Sequence, residues 1–554
     1  MSLSATTVKR RFIDVGGRAV HCRITGHGPP ALFVHSSPAN SSFVINEMAV
    51  VADRYTCFAF DTPGFGQSDP LPGKVLTVAE LADAVAETLA AIGMPPCPVF
   101  GTHTGAAIAL ELASRHPDRV TGLILDGLAS FTKAEFDALN TNYFLPFAAD
   151  PLGGHFTSTW TRFRDQSTWF PWFARDWRAV NESDLSSAAA TNIWVAMFFD
   201  AVDNYAPAYR AALAYRDGPR QVAALQVPAV LTAIESDMLY PHLDRVPAEG
   251  AQHMIRRVGN DVAARRALTG EAFARYGSPG EAPRLDWQPK SSSHIVRQFI
   301  DIAEGQLLLR TIGDRANPPL LILHDCPGAG ARTAARMRAL AATHFVLAFD
   351  LPGCGESTPV ADTSIAGFAA AVLAGCDAIA IAAPAVWGVG FGASLAVAIA
   401  NAAAAPTLVI EGMLAADPAA RAVLAASYAP PIAITADGSH WYRTWLMLRD
   451  SLTWWPWFTP TKAALRRVDA DFEADFGGRA LHDWTREVLR QPDTYAGPIH
   501  AALRHDAVAA LANFTGKLIV VSDSVTPLAT AFHDQIAALP GAKLTPLSRL
   551  AALL

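Results

Sequence analysis

The chain reads Phe-Ala-Phe-Asp-Thr-Pro-Gly-Phe-Gly at residues 58–66 and Leu-Ala-Phe-Asp-Leu-Pro-Gly-Cys-Gly at residues 347–355. Each stretch opens with a short apolar run, typical of a buried strand, and ends in a turn rich in Pro and Gly. The correspondence continues outward, since Leu-Phe-Val-His at 32–35 returns as Leu-Ile-Leu-His at 321–324. Many matches in one order, about 285 residues apart, indicate a duplicated domain.

Within each half, short apolar strand-like runs alternate with Ala- and Leu-rich helical stretches. Residues 31–34, 56–60 and 122–125 are such runs in the first half. Alternation of this kind predicts an α/β fold, with a mostly parallel sheet flanked by helices on both faces. A Trp- and Phe-rich insertion, at about 132–220 and again at about 416–507, is expected to form a helical cap in each half.

The chain of 554 residues is too long for one ordinary hydrophobic core. We predict a first domain over residues 1–276 and a second over residues 294–554. The stretch between them, residues 277–293, contains three prolines and a run of serines, which is typical of a linker.

Both halves contain a glycine-flanked turn between a strand-like run and a helix-like run. The first is Gly-Thr-His-Thr-Gly at residues 101–105, and the second is Gly-Val-Gly-Phe-Gly at residues 388–392. In a G-x-S-x-G elbow, small flanking residues allow a sharp turn that presents the middle residue to a pocket. That middle residue is His103 in the first half and Gly390 in the second, so neither turn carries a serine.

These motifs together resemble the α/β-hydrolase fold family over nearly the whole chain, as a fused tandem pair. The resemblance is carried by His-Ser-Ser-Pro at 35–38, Asp-Thr-Pro-Gly-Phe-Gly-Gln-Ser at 61–68, the elbow, and Asp237. It implies a Ser, Asp or Cys at the elbow and a general-base histidine after the last strand. In the first half the base position falls on Asn260 or Asp261. In the second half the corresponding stretch leads to Ser548 and Arg549.

The first half keeps residues for a different chemistry. The resemblance places Asp237 within reach of the elbow, where a His103–Asp237 dyad would serve as a general base near neutral pH. It also implies an oxyanion hole made of the backbone N–H groups of Thr104 and Ser36. We therefore predict an enzyme, a hydrolase or lyase, acting on a small, apolar carbonyl or ester-type substrate. The alternative is a catalytically inactive binding or scaffold protein of the same fold.

Two further histidines in the first half are candidates for substrate binding. His35 either shapes the loop after its strand or contacts substrate. His155 either packs within the cap or faces the pocket opposite His103. The three histidines lie on separate elements without a short ligand spacing, so we expect no metal site and no cofactor.

The second half is expected to be a degenerate site formed around Gly390, Asp523, His324 and His440. Gly390 supplies no reactive side chain, and Asp523 has no obvious residue to orient. Because many single-domain relatives pair as dimers, we expect the two halves to form an intramolecular pseudo-dimer.

Composition excludes several classes of partner. The net charge of −7, with mixed signs and no basic stripe, argues against nucleic acid. The N-terminal residues form no signal peptide pattern, and a transmembrane span is not expected. The six scattered cysteines are typical of reduced core thiols, which predicts a cytoplasmic protein. The resemblance to hydrolases implies that its partner is a small-molecule substrate or ligand.

Overall fold

The computed structural model describes residues 8–73, 75–181, 184–248, 250, 252–468 and 476–554. The chain divides into two compact units. Unit 1 comprises the residues up to Phe147 together with Ser158–Asp286, and unit 2 comprises Ala148–Thr157 together with Trp287–Leu554. The division after Asp286 falls inside the stretch predicted as a linker. The segment Ala148–Thr157, which we predicted as part of the first cap, is instead grouped with unit 2.

Unit 1 is built on a sheet of eight strands in the order β1-β2-β4-β3-β5-β6-β7-β8. β1 and β2 are antiparallel to their neighbours, and the other six strands run parallel. The strands are β1 Lys9–Val15, β2 Arg18–Gly26, β3 Pro30–Val34, β4 Thr56–Phe60, β5 Cys97–Thr102, β6 Val120–Asp126, β7 Ala229–Ala233 and β8 His253–Arg257. β3 and β7 are buried along their whole length, which explains their unbroken apolar sequences.

The helices of unit 1 flank this sheet and form the cap. The cap helices α4 to α8 are inserted between β6 and β7, as the aromatic-rich sequence there predicts. The helices are α1 Ile45–Met48, α2 Val78–Ala91, α3 Thr104–Arg115, α4 Lys133–Asn142, α5 Gly154–Thr168, α6 Ala188–Ala201, α7 Tyr205–Ala214, α8 Gly218–Ala223 and α9 Val262–Tyr276. Phe33 and Phe100 of the sheet pack with Phe273 of α9 in the core.

Unit 2 repeats the same arrangement of eight strands, in the order β9-β10-β12-β11-β13-β14-β15-β16. The strands are β9 Ser292–Ile302, β10 Gly305–Gly313, β11 Pro319–Leu323, β12 Phe345–Phe349, β13 Ala385–Val389, β14 Thr407–Glu411, β15 Lys517–Val521 and β16 Lys543–Thr545. The predicted α/β fold of two mostly parallel sheets is therefore confirmed.

The cap of unit 2 is likewise inserted between the sixth and seventh strands, β14 and β15, and it includes α13 to α17. The helices are α10 Ala334–Leu340, α11 Ile365–Ala378, α12 Gly392–Ala402, α13 Pro418–Ser427, α14 Ser439–Thr453, α15 Gly478–Leu489, α16 Gly497–Arg504, α17 Ala507–Ala510, α18 Pro527–Ala531 and α19 His533–Ala537. Within the described residues, no helix is both long and apolar enough to cross a membrane. All six cysteines are buried and none forms a disulfide.

Candidate active site

His103 occupies the apex of a sharp turn between β5 and α3. Its backbone angles, φ 50° and ψ −112°, lie in a region that residues with a side chain rarely adopt. The turn needs glycine beside it, because a Cβ atom on Gly105 would lie 2.2 Å from the carbonyl oxygen of Val34. The His103 N–H donates to the Asp126 carbonyl oxygen at 2.8 Å, which ties the apex to the end of β6. The sequence motif thus forms a sharp turn with His103 at its apex in a strained backbone conformation.

The His103 side chain contacts the acid predicted for it. Nε2 of His103 lies 2.7 Å from Oδ2 of Asp237, and the other carboxylate oxygen accepts the Leu239 N–H at 2.8 Å. The ring packs over Gly127, where a Cβ atom would lie 2.5 Å from its Cδ2 atom. With Nε2–H donating to Asp237, the neutral ring presents the lone pair of Nδ1. Nδ1 has no hydrogen-bond partner among the described residues, so it is the nitrogen available to take a proton.

Electrostatics favour the charged form of this pair. Burial lowers the pKa of His103, but the charge of Asp237, the hydrogen bond to it and the charge of Asp126 together raise that pKa above 6.5. Burial raises the pKa of Asp237, but the charge and hydrogen bond of His103 and the Leu239 N–H outweigh it, so that pKa is lowered. The histidine side chain is 34% exposed, so solvent reaches the pair.

A buried charge network lies directly behind the elbow. The Arg265 guanidinium donates to Oδ2 of Asp126 and to Oε1 of Glu47, each at 2.7 Å. Burial raises the pKa of Asp126 to about 6 although Arg265 opposes the shift. No sequence motif indicates this triad, because its members come from α1, β6 and α9. It fixes the end of β6, whose carbonyl holds His103.

A cavity of about 220 Å³ opens above His103 in unit 1. Its walls combine the loop after β3 with aromatic and polar residues of the cap. The lining residues are Ser36, Ser37, Pro38, Phe43, His103, Tyr143, Arg162, Phe163, Gln166, Ser167, Phe170, Trp194, Tyr209 and Met238. Among these, His103 is the one ionisable group suited to act as a base near neutral pH.

His35 does not line this cavity. Its Nδ1 donates to the Ser36 carbonyl oxygen at 2.8 Å, and its Nε2 accepts the Thr62 N–H at 2.9 Å. Burial lowers the pKa of His35, which suits a neutral ring that joins two loops. Of the two alternatives for His35, its contacts match the loop-shaping one. Its counterpart His324 does the same in unit 2, accepting the Leu351 N–H at 3.0 Å.

Of the two alternatives for His155, its contacts match packing, and it does not line the His103 cavity. His155 lies in the short segment grouped with unit 2, where Nδ1 accepts the Asp150 N–H at 3.0 Å and Nε2 lies 3.1 Å from Nδ1 of His482. The side chain is buried, and burial lowers its pKa to about 4. The motif around His155 repeats in both halves, but repetition does not reveal which surface a side chain faces.

The two residues at the expected base position of unit 1 have structural contacts. Oδ1 of Asn260 accepts the Ser236 N–H at 2.5 Å, and Oδ1 of Asp261 accepts the Ala264 N–H at 3.0 Å, which caps α9. Neither residue lines the cavity. Asn260 thus ties its loop to the residue before Asp237, whereas Asp261 starts α9.

The elbow of unit 2 is filled by a residue that the sequence did not suggest. A Cβ atom on Gly390 would lie 2.0 Å from Oδ1 of Asp325, so the Asp325 carboxylate takes the space of an elbow side chain. The same oxygen accepts the N–H groups of Phe391 and Cys326, each at 2.8 Å. Burial raises the pKa of Asp325 to about 6, although these two donors oppose the shift.

The contacts of Asp325 also bear on the oxyanion hole of unit 1. By the sequence repeat, Phe391 and Cys326 correspond to Thr104 and Ser37. Two N–H groups that converge on one carboxylate oxygen form an anion site. The repeat therefore favours Thr104 and Ser37 as the donors in unit 1, whereas we predicted Thr104 and Ser36. The hydroxyl of Ser37 is buried at the cavity and has no hydrogen-bond partner among the residues that the structure describes.

Asp523 does not reach the elbow of unit 2. It is exposed, and its carboxylate accepts the Leu547 N–H at 2.7 Å. Leu125 pairs with Leu231 in unit 1, and its counterpart in the repeat, Ile410, pairs with Val520 in unit 2. Leu231 and Val520 are therefore equivalent positions. Thr526 follows Val520 by as many residues as Asp237 follows Leu231. Thr526 therefore stands where unit 1 has its acid, and its Oγ1 approaches Gly412 as Asp237 approaches Gly127.

The remaining residues predicted for the second site are separated. A cavity of about 170 Å³ in unit 2 is lined by His324 and Asp325 but not by His440. His440 is buried on α14, where its Nδ1 accepts the Thr435 N–H at 3.3 Å. Over the described part of the chain, no cluster of His, Cys, Asp or Glu could hold a metal ion.

Comparison with known families agrees with this architecture. A family model described as the alpha/beta hydrolase fold matches residues 29–245, and one described as the alpha/beta hydrolase family matches residues 320–549. Each half of the chain is thus an α/β-hydrolase domain.

Characterised relatives match only in part. The chain is 33% identical over 135 residues to the dihydrolipoyllysine-residue acetyltransferase component of the acetoin cleaving system of Cupriavidus necator, covering 24% of this chain and 34% of that protein. It is 29% identical over 139 residues to a proline iminopeptidase of Arabidopsis thaliana, covering 25% and 34%. It is 30% identical over 115 residues to haloalkane dehalogenase 2 of Mycobacterium tuberculosis, covering 21% and 40%. The chain thus spans about a third of the length of these relatives.

Among solved structures, the chain is similar to a thermophilic esterase from Thermogutta terrifontis. The match covers 48% of this chain and 99% of the esterase, with 18% identity and a TM-score of 0.37. The chain is also similar to the epoxide hydrolase CorEH. That match covers 49% of this chain and 98% of CorEH, with 16% identity and a TM-score of 0.36.

Proposed function

We propose that unit 1 is a hydrolase for small, largely apolar esters or related carbonyl compounds, and that His103 acts as its general base. The observation that carries the proposal is the 2.7 Å contact between Nε2 of His103 and Oδ2 of Asp237, which leaves Nδ1 open to the cavity residues. Asp237 fixes the tautomer and stabilises the imidazolium that forms when Nδ1 takes a proton.

The proposed reaction uses water as the nucleophile. Nδ1 of His103 removes a proton from water as its oxygen attacks the substrate carbonyl carbon. The carbonyl oxygen becomes an oxyanion that the N–H groups of Thr104 and Ser37 stabilise. When the C–O bond to the leaving group breaks, the imidazolium returns its proton to the departing alkoxide. No acyl-enzyme is needed, which fits an elbow without Ser, Cys or Asp. Proton abstraction next to a ketone, a lyase-type step, would use the same groups.

Unit 2 supports no equivalent reaction. Its anion site is already occupied by the carboxylate of Asp325, so a substrate oxyanion would have to displace a bound charge. We therefore propose that turnover belongs to unit 1.

The test is turnover of a panel of short esters, lactones and β-ketones by the wild-type chain and by His103→Gln. Removing a general base typically costs about 10²- to 10⁴-fold in rate. The control is His116→Gln, which removes another histidine of unit 1 that pairs with an aspartate, at 2.8 Å from Asp83 and outside the cavity lining. We expect the control to keep the wild-type rate within about twofold. Equal turnover by His103→Gln, or no turnover of any compound by the wild type, would reject the proposal.

A further inference from the structure

One face of the cap helix α5 is directed at the cavity of unit 1. Arg162, Phe163, Gln166 and Ser167 all line that cavity, and their spacing places them on one side of a helix. Arg162 brings a permanent positive charge into a wall that is otherwise aromatic and neutral. Nothing in the hydrolysis proposed above uses this charge.

Aromatic rings surround the guanidinium of Arg162. Its Cζ atom lies 5.2 Å from the centre of the Phe198 ring, and 5.5 Å from those of Tyr143 and Trp172. Ring faces stabilise a cation and hold it in place, but they leave its N–H donors unsatisfied.

Arg162 has no carboxylate partner among the described residues. The acceptor within hydrogen-bond distance is the Tyr143 carbonyl oxygen, 3.3 Å from Nη2. By contrast Arg265, also in unit 1, is matched by two buried carboxylates. A partly buried guanidinium at a cavity without a protein counter-ion is suited to a ligand that carries one.

Tyrosine hydroxyl groups lie beside this charge. Nε2 of Gln166 donates to the Tyr143 hydroxyl at 2.9 Å, and the hydroxyls of Tyr143 and Tyr209 are 3.3 Å apart. When Tyr143 donates to Tyr209, the O–H of Tyr209 remains to donate to a ligand oxygen. The wall thus offers a cation and a neutral donor, which together match a carboxylate.

We propose that Arg162 is the anchor for a carboxylate group of the ligand, and that the substrates are small monoesters of dicarboxylic acids with an aryl or short alkyl body. The proposal rests on the function proposed above only in placing the ester carbonyl at His103. A cavity of about 150 Å³ can hold benzene, so about 220 Å³ suits one ring or a short chain with its end groups.

The test measures binding, so it does not depend on turnover. Calorimetry would compare 3-phenylpropanoate with its neutral amide, 3-phenylpropanamide, on the wild-type chain and on Arg162→Met. We expect the wild type to prefer the carboxylate. Arg162→Met should bind the carboxylate about 10- to 100-fold more weakly and the amide unchanged, because a charge-assisted hydrogen bond is lost. Arg162→Lys should bind the carboxylate with intermediate affinity, since it keeps the charge but loses the planar fork.

Two further variants separate this proposal from the previous one. Arg210→Met removes an exposed arginine that stacks on Phe144 at 4.6 Å outside the cavity lining, and it should bind both probes as the wild type does. His103→Gln should also keep the preference for the carboxylate, whether or not it retains turnover. The proposal is overturned if the wild type shows no preference, if Arg162→Met and Arg162→Lys keep it in full, or if His103→Gln abolishes it.

Discussion

Asp237→Asn is the substitution whose effect the site geometry defines most closely. It keeps the shape of the side chain and removes the charge beside Nε2 of His103. Two unit charges about 4 Å apart attract by about 4 kcal/mol at an effective dielectric of 20 and by about 1 kcal/mol in water. Because a third of the His103 side chain is exposed, we expect the protonated ring to lose about 1–2 kcal/mol of stabilisation.

The readout is the titration of His103 followed by NMR on protein with ¹³C-labelled histidine. In the wild type the pKa of His103 should lie above 6.5, because the charge of Asp237 outweighs burial. In Asp237→Asn the pKa should fall, because burial then acts against the charged ring with only Asp126 opposing it. His103→Gln identifies the signal, and Asp83→Asn, which alters the His116 pair, should leave it unmoved. A wild-type pKa below 6.5, or one that Asp237→Asn does not lower, would refute the reasoning.

Three further substitutions test the structure around the two elbows. Gly390→Ala should lower the free energy of unfolding, measured in urea, by about 2–4 kcal/mol. The new Cβ would displace Asp325 from two N–H donors, and the backbone at this position is left-handed. Adding Asp325→Ala should recover part of the loss, and strictly additive effects in the double variant would contradict the contact. Arg265→Met should cost about 3–5 kcal/mol at pH 8, because Asp126 would stay buried without its arginine and Glu47 would keep only Arg266 as a counter-charge. A loss below about 1 kcal/mol would mean that the network is not needed. For Asp325→Asn the pH dependence is decisive: folding raises the pKa of Asp325 from 3.8 to about 6, so its contribution to stability is present at low pH and lost as the pH rises through that interval. Between pH 4 and pH 7, the unfolding free energy of Asp325→Asn relative to that of the wild type should therefore rise by up to about 3 kcal/mol. If the unfolding free energies of the two proteins change with pH in parallel, the carboxylate is not buried as described.

The strand patterns and the internal repeat were sufficient to predict the fold. Apolar runs such as residues 31–34 are buried on both faces of a parallel sheet, which is the pattern that such strands require. The sharp turn at residues 101–105 follows from its glycines, because a Cβ atom on Gly105 would collide with the Val34 carbonyl oxygen. The pairing of the two halves as a pseudo-dimer stays a prediction.

The side-chain contacts of the second site could not be predicted in the same way. Gly390 looked like a lost side chain, but it makes room for Asp325, a residue distant in sequence. Asp523 looked like the acid because it shares a Ser-Asp pair with unit 1, whereas strand register places Thr526 there.

Arg162 was missed for a related reason. The sequence showed an aromatic cap, but the absence of a carboxylate near one arginine depends on the packing of several helices. The two alternatives for His155 could not be separated from sequence, because Arg162 and Phe163 of the same helix line the cavity of unit 1 whereas the first turn, with His155, is grouped with unit 2.

We propose above that His103, held by Asp237, acts as the base. The most direct test is the pH dependence of kcat/KM for an ester that the wild type hydrolyses, since this profile reports the essential groups of the free enzyme. We expect activity to rise with pH through the same pKa that NMR assigns to His103, and the inflection to move to lower pH in Asp237→Asn together with that pKa. An inflection that does not coincide with the titration of His103, or that stays in place in Asp237→Asn, would contradict the account.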